Sequence, residues 1–300
     1  MFSKPVIDDI VYHPGYNCQL TCRGCVNFSN HLESRNIPDE TNWERDLTIL
    51  FERFTVNHID IAGGETLMFP HLQELVELLK PAKSFTITTN GLLLHKNMWL
   101  KDLLDNDPRL TIVLSLQGNP MLESVYINRV CESLGIFLNK SSSSIKNHFR
   151  RHFVSHLPDK GLRIGMLHER IRYKNHHKDL WAYPLLDENE IPVQFNNTKE
   201  NAYSKCICPT PHIKDGKVYK CPLTATLPKV LEAKNLYDSR WDHLKNYKPY
   251  DLLSPHNPDL WDPLLVPEEV CTKCPFAAHE WDHNKTDIHT KIVFGNSVLK

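Results

Sequence analysis

Cys18, Cys22 and Cys25 stand in a C-x3-C-x2-C run, which gathers three thiols on one short loop and leaves a four-coordinate metal one ligand short. Thiolates suit zinc and iron–sulfur clusters alike, so ligand type alone leaves both open. In a cluster held by three protein ligands one iron stays open, and an open iron can take up a second molecule. A second group, Cys206, Cys208, Cys221, Cys271 and Cys274, lies far along the chain. Of the nine cysteines only Cys131 stands alone, and it reads as a plain buried thiol.

The rest of the composition narrows the setting. A formal charge of -1, from 35 basic and 36 acidic side chains, offers no broad positive field for a phosphate backbone, so polymeric nucleic acid is not the expected partner. The amino terminus turns acidic at Asp8 and Asp9 before any apolar run of signal-peptide length. No stretch approaches the ~18 apolar residues of a membrane span, and the expectation is a cytoplasmic protein. In that compartment grouped cysteines point to metal or redox chemistry rather than to disulfides.

The elements that must position these thiols alternate. Val6–Tyr12, His58–Ala62, Ser84–Thr89, Leu110–Leu116 and Gly135–Leu138 read as strands. Leu162–Leu167 is the expected sixth strand and Val193–Phe195 a possible extra one. Between them, Trp43, Leu47, Leu50 and Phe54 repeat at helical spacing behind a capping box at Thr41–Glu44. Leu72, Leu75, Val76 and Leu79 mark a second helix, and Ile145, Phe149 and Phe153 one over about 144–157. This is the form of βα units around a parallel sheet. Six such units cannot close an eight-stranded barrel, so the expected fold is α/β, a partial (β/α)6 TIM-like barrel over 1–195 with its ligand site at the carboxyl ends of the strands. Beyond it, 196–300 holds ten of the 20 prolines between Cys206 and Pro275 and reads as a small, irregular, cysteine-rich cluster-binding domain with a tail.

Asn17 through Cys25, followed after the second strand by Gly63-Gly64-Glu65, resembles the signature of radical S-adenosylmethionine (SAM) enzymes. That resemblance implies a 4Fe-4S cluster on Cys18, Cys22 and Cys25, whose open iron takes the amino and carboxylate groups of SAM. It implies that Gly63, Gly64 and Glu65 approach the SAM amino group, glycine leaving room for the backbone. Asn90, Ser115, Gln117 and Asn139 are assigned to the same pocket by their place at strand ends. Gly24 departs from the pattern, which often carries a large apolar residue there; Phe28 or a later strand would then cover adenine.

The second cysteine group resembles the Twitch domain, a shortened relative of the SPASM domain. It implies an auxiliary 4Fe-4S cluster on Cys208, Cys221, Cys271 and Cys274, with Cys206 as the competing first ligand. A structural zinc uses the same donors.

The chemistry implied by the resemblance is one-electron cleavage of SAM to a 5′-deoxyadenosyl radical that abstracts hydrogen from carbon. The expected function is oxidation of a small polar metabolite, a sugar or cyclitol alcohol, with a flavodoxin or ferredoxin as electron donor. Epimerisation of such a metabolite, with Cys131, Cys206 or Tyr203 returning hydrogen, is the nearest alternative. Modification of a peptide or protein side chain is another, disfavoured by the lack of an obvious amino-terminal leader-recognition extension, and a zinc-bound interaction module is the remote one. The 17 histidines, His176, His177, His279 and His283 among them, form no defined ligand set and read as solvated or core side chains. His168-Glu169-Arg170, after the sixth strand, is the expected place for polar contacts to substrate, and Arg163, Arg170 and Arg172 could meet an anion there.

Overall fold

The computed structural model describes residues 4–20, 25–29, 42–116, 125–155, 163–175, 180–181, 197–204, 206, 210–236, 239–254, 262–274, 279–280, 292–294 and 297–299. Cys22, Gln117, Cys208 and the possible strand at Val193–Phe195 lie outside them.

Strand β1 (Val6–Tyr12) buries Ile7, Ile10 and Tyr12, and the chain returns through α1 (Trp43–Arg53) to β2 (Thr55–Ile61) at its side. Trp43, Leu47 and Leu50 turn one face of α1 to the core, as their spacing dictates. The helix starts after Asn42, whose side chain makes no capping bond; Thr41, the first residue of the expected box, lies outside the described residues. Helices α2 (Leu72–Leu78) and α3 (Trp99–Asn106) carry the chain on to β3 (Ser84–Thr89) and β4 (Leu110–Leu116), each parallel to the strand before it.

After β4 the structure departs from the expected repeat. Gly135–Leu138 is not a strand but the last turn of α4 (Val125–Leu138). Tyr126, Ile127, Val130, Cys131, Leu134 and Phe137 bury one helical face, and this period of 3.6 overrides the local strand propensity of Ile136 and Phe137. Helix α5 (Ser142–Ser155) follows, and then β5 (Arg163–His168), where the sixth strand was expected. β5 runs antiparallel to β6 (Ile171–Asn175), and β6 is the strand that lies parallel to β4. The turn at Glu169 and Arg170 therefore sits at the amino edge of the sheet, opposite the expected ligand edge. There Arg170 donates to the Asp107 carbonyl just ahead of β4 (2.6 Å), so the substrate role expected for His168-Glu169-Arg170 is corrected.

The cysteine-rich segment continues the same sheet. Behind the two-residue β7 (Leu180–Trp181) and α6 (Lys199–Ser204), β8 (His212–Lys214) pairs parallel to β1, and β9 (Lys217–Tyr219) returns antiparallel. Asp215 and Gly216 join them with φ of 50° and 69°, the left-handed pair that a two-residue hairpin needs. After α7 (Pro222–Ala233) and α8 (Asp242–Lys245), β10 (Tyr250–Asp251) closes that edge. The nine strands run β10-β9-β8-β1-β2-β3-β4-β6-β5, a mostly parallel, open sheet. The short strands β11 (His279–Glu280), paired with β7, and β12 (Ile292–Phe294), paired with β13 (Ser297–Leu299), stand outside it.

Asp46 on α1 locks the hairpin to the rest of the molecule. Its buried carboxylate accepts the Gly216 backbone N–H (2.7 Å) and pairs with Arg45 (3.0 Å). Asp46→Ala orphans that buried N–H and is expected to lower stability by about 1–3 kcal/mol, read from urea unfolding.

Candidate functional site: a cysteine loop at the carboxyl edge

The carboxyl ends of β1, β2 and β3 meet in a polar cluster. The segment leaving β2 runs beside the segment leaving β1: Gly64 N–H donates to Gly15 O (3.0 Å) and Glu65 N–H to Asn17 O (2.6 Å). On the far side of the cysteine run, the Asn27 side-chain amide donates to Gly63 O. Both ends of the loop bearing Cys18 and Cys25 are thus clamped to one Gly-Gly-Glu segment. A side chain on Gly63 would place its Cβ 2.4 Å from Gly15 O, and on Gly64 2.3 Å from the carbonyl oxygens of both Tyr16 and Asn17. Only glycine permits this approach. A small, partly open recess is lined by Pro14, Gly15, Asn17, Gly63, Gly64, Glu65, Thr66 and Phe69.

Glu65 is buried with both oxygens engaged, one by Leu67 N–H (3.0 Å) and the Thr89 hydroxyl (2.5 Å), the other by Asn90 N–H (2.8 Å). Burial pushes its carboxyl above the ordinary range, against the pull of those three donors. In this structure the carboxylate ties the end of β2 to the end of β3. Asn90 accepts from Leu92 N–H (3.0 Å) and Gln19 Nε2 (3.2 Å) through Oδ1. Its Nδ2 and the Gln19 Oε1 are buried and, among the described residues, unpartnered: one donor and one acceptor remain unspent next to Cys18. The Tyr126 hydroxyl reaches the carbonyls of Asn90 (3.0 Å) and Ser115 (3.3 Å), which draws the ends of β3 and β4 together.

Gly63, Gly64, Glu65, Asn90 and Ser115 are therefore at one edge, as expected. Asn139 is not: it is an exposed, left-handed residue (φ 51°) after α4, because the strand that was to present it is helical. Phe28 packs into a second apolar cluster with Tyr16, Leu223, Leu227, Trp241 and Val270, against α7 rather than over the cleft. Sequence reasoning missed His13 and His212, buried at the ends of β1 and β8 with Nε2 and Nδ1 2.5 Å apart. Burial, the partner ring and Lys214 hold His13 well below its ordinary value, and burial takes His212 to about 3, so both rings are neutral.

The second cysteine group collects around the same apolar cluster, against which Cys221, Cys271 and Cys274 pack. Cys221 precedes α7 and donates its N–H to the Thr224 hydroxyl (3.2 Å). The 3-10 turn Glu269–Lys273 presents Cys271, whose carbonyl accepts Cys274 N–H (3.0 Å). Helix α6 docks on that turn through Lys199–Glu269 (2.9 Å), while Asn197 Nδ2 donates to Cys274 O (2.6 Å); Cys206 follows, its N–H on Tyr203 O (2.9 Å). Burial raises the Cys274 thiol well above its ordinary value, and Cys221, Cys206 and Cys271 push it further. Burial takes Cys221 to about 11, with Cys206 and Cys271 again acting on it. Cys206, Cys221, Cys271 and Cys274 thus lie near enough to act on one another, while Cys208, the expected first ligand, lies outside the described residues. Among the described residues no three potential ligands already stand at metal-binding geometry. Cys131 is enclosed in the core face of α4 and raised by burial to about 11, an inert thiol as expected.

Residues 11–117 match the model of a family described as a 4Fe-4S single cluster domain, and this stretch contains Cys18, Cys22 and Cys25. No curated protein matches the chain. Among solved structures it is similar to Streptococcus suis SuiB bound to S-adenosylmethionine, at 17% identity over 91% of this chain and 71% of that one, with a TM-score of 0.42. Fold and loop together define an α/β protein with a cysteine-bearing loop, inside the stretch matched by a 4Fe-4S cluster-domain model, at the carboxyl edge of its sheet. No described helix is long and apolar enough to cross a membrane.

Proposed function

We propose that the chain is a radical SAM enzyme that oxidises a small polar alcohol, a sugar or cyclitol, with electrons supplied by a flavodoxin or ferredoxin. The observation that carries this reading is the double clamp of the cysteine loop onto Gly63-Gly64-Glu65 at the carboxyl edge of a parallel sheet. Cys18, Cys22 and Cys25 would hold the cluster, which supplies one-electron cleavage of SAM to the 5′-deoxyadenosyl radical. Gly63 and Gly64 fix the loop's height above β2 by backbone contact. Asn90 and Gln19 offer the unspent amide donor and acceptor that the polar end of SAM requires. The role of Glu65 is to hold Asn90 in place through its N–H.

The second thiol group supports oxidation over inversion. Cys206, Cys221, Cys271 and Cys274 give four soft donors, enough to ligate an auxiliary 4Fe-4S cluster fully and let it accept an electron from a substrate radical. The groups expected to return hydrogen in an epimerase are otherwise engaged: Cys131 is in the core, Cys206 lies near the other thiols, and the Tyr203 hydroxyl donates to Leu265 O.

Anaerobically reconstituted protein is expected to carry about eight iron and eight sulfide and, with dithionite, to convert SAM to 5′-deoxyadenosine. Zinc without iron, or an iron protein that leaves SAM intact, overturns the assignment.

A further inference from the structure

Lys220 is a buried ammonium with no place in the reading so far. It is 3% exposed, directly precedes Cys221, and its Nζ donates to Leu264 O (2.7 Å) and to Val266 O. The same ammonium stands 5.0 Å from the Tyr203 ring centroid and 3.4 Å from the Glu268 carboxylate. Its backbone N–H donates to the Tyr247 hydroxyl (3.1 Å). One cation therefore touches every stretch that delivers a thiol: Tyr203 lies on α6 ahead of Cys206, Lys220 adjoins Cys221, and Leu264, Val266 and Glu268 lead into the turn with Cys271 and Cys274. Burying a lysine is costly unless it is paired, and here two carbonyls and the Glu268 carboxylate offer an acceptor to each of its three N–H, so the ammonium is held fixed in place.

We propose that Lys220 is the fixed counter-charge of the four-thiol site, a positioning residue that gathers its three segments and favours the reduced state of the iron–sulfur group held there. The inference rests on the reading of that site as an auxiliary cluster. Four thiolates bring negative charge into a protein interior, and each electron added increases it. A buried positive charge stabilises the reduced form more than the oxidised one, and a nearby carboxylate does the opposite. The structure supplies both signs. The Lys220 ammonium and the Glu268 carboxylate stand 3.4 Å apart, the one adjoining Cys221 and the other three residues before Cys271.

The opposed signs make the test. In a background where Cys18, Cys22 and Cys25 are all alanine, the full chain is expected to retain about four iron at the second site, and its potential can be titrated alone with dithionite and mediators. Lys220→Met is expected to lower that potential by about 59 mV, tenfold in the one-electron equilibrium, and Lys220→Arg to restore it. Glu268→Gln is expected to raise it. A cation that only gathers segments would change iron content or thermal stability in Lys220→Met and leave the potentials of the Met and Gln variants at the background value. Potentials that do not move, or that move the same way for Met and Gln, overturn the proposal. Should Lys220→Met fail to hold iron, the rise in Glu268→Gln decides the matter, since Glu268 lies partly at the surface. Loss of all iron from the triple-alanine background instead overturns the auxiliary-cluster reading itself.

Discussion

Cys25→Ala is expected to remove about four of eight irons from the reconstituted protein and to reduce 5′-deoxyadenosine formation to background. A cubane held by three thiolates cannot spare one, because the remaining two leave half its irons without a protein ligand. The four-thiol group does not depend on this loop for its donors, so its iron should remain. The variant then separates the two sites by stoichiometry: iron falls by about half, while the visible absorption of a fully ligated cluster persists. Serine at the same position is expected to behave like alanine, since a hydroxyl is a poor substitute for a soft thiolate. Cys131→Ala is the control. Its thiol is buried in α4 and should leave both iron content and SAM cleavage unchanged. Full cleavage activity in Cys25→Ala would show that the loop does not hold the reactive cluster.

Most of the cluster edge was legible because its signals are local. Val6–Tyr12, Ser84–Thr89 and Leu110–Leu116 are strands over the expected bounds, each a run of β-formers between breakers. The glycine pair after β2 could be interpreted from chemistry alone, and the structure adds the reason for it: three carbonyl oxygens, of Gly15, Tyr16 and Asn17, where side chains would stand. What sequence could not show was how Glu65 is used, because Thr89 and Asn90 reach it only through sheet order.

The failures have one cause. From Gly135 to Arg172 the local composition is ambiguous, and the winning arrangement is set by long-range packing. Ile136-Phe137-Leu138 has strand-forming residues, yet counting from Tyr126 gives a helical stripe that buries Val130, Leu134 and Phe137 together. Arg163–His168 was recognised as a strand, but its direction depends on the turn at Glu169 and Arg170, and that turn carries no glycine or proline to announce it. One reversal moved a supposed substrate site to the opposite edge. By contrast, Asp215-Gly216 is a two-residue turn signal of the kind that announces a hairpin, here that of β8 and β9. The division near residue 196 is likewise crossed by the sheet, since β8 pairs with β1 at Val11 and Tyr12. Tyr16 makes the same connection through its hydroxyl on Ala225 O (3.3 Å) and its ring beneath the Lys214 ammonium (3.7 Å). The residues just before Cys18 are thereby built into the packing of the helix that follows Cys221.

Gly64→Ala is expected to be the most damaging added methyl group among the described glycines. At 2.3 Å from the carbonyl oxygens of Tyr16 and Asn17, the new Cβ meets backbone on two sides, and no rotamer change can relieve it. Either Gly64 N–H must leave Gly15 O or Glu65 N–H must leave Asn17 O, and each break shifts the chain immediately before Cys18. Overpacking of this kind costs about 1–3 kcal/mol or more, a fall of roughly 2–4 °C in melting temperature per kcal/mol for a chain of this size. The larger effect should be on the cluster. Three thiols must close on one cubane, so moving one of them lowers iron occupancy and SAM cleavage together. Gly91→Ala calibrates the claim: it forces a side chain to φ +83°, but its nearest contact is the Val130 side chain at 3.3 Å, which can yield. That variant should lose stability and keep its iron. Asp46→Ala, destabilised at the hairpin by a comparable amount, should also keep its iron. If Gly64→Ala retains full iron and cleaves SAM at the unaltered rate, the clamp does not set the position of the cysteine loop.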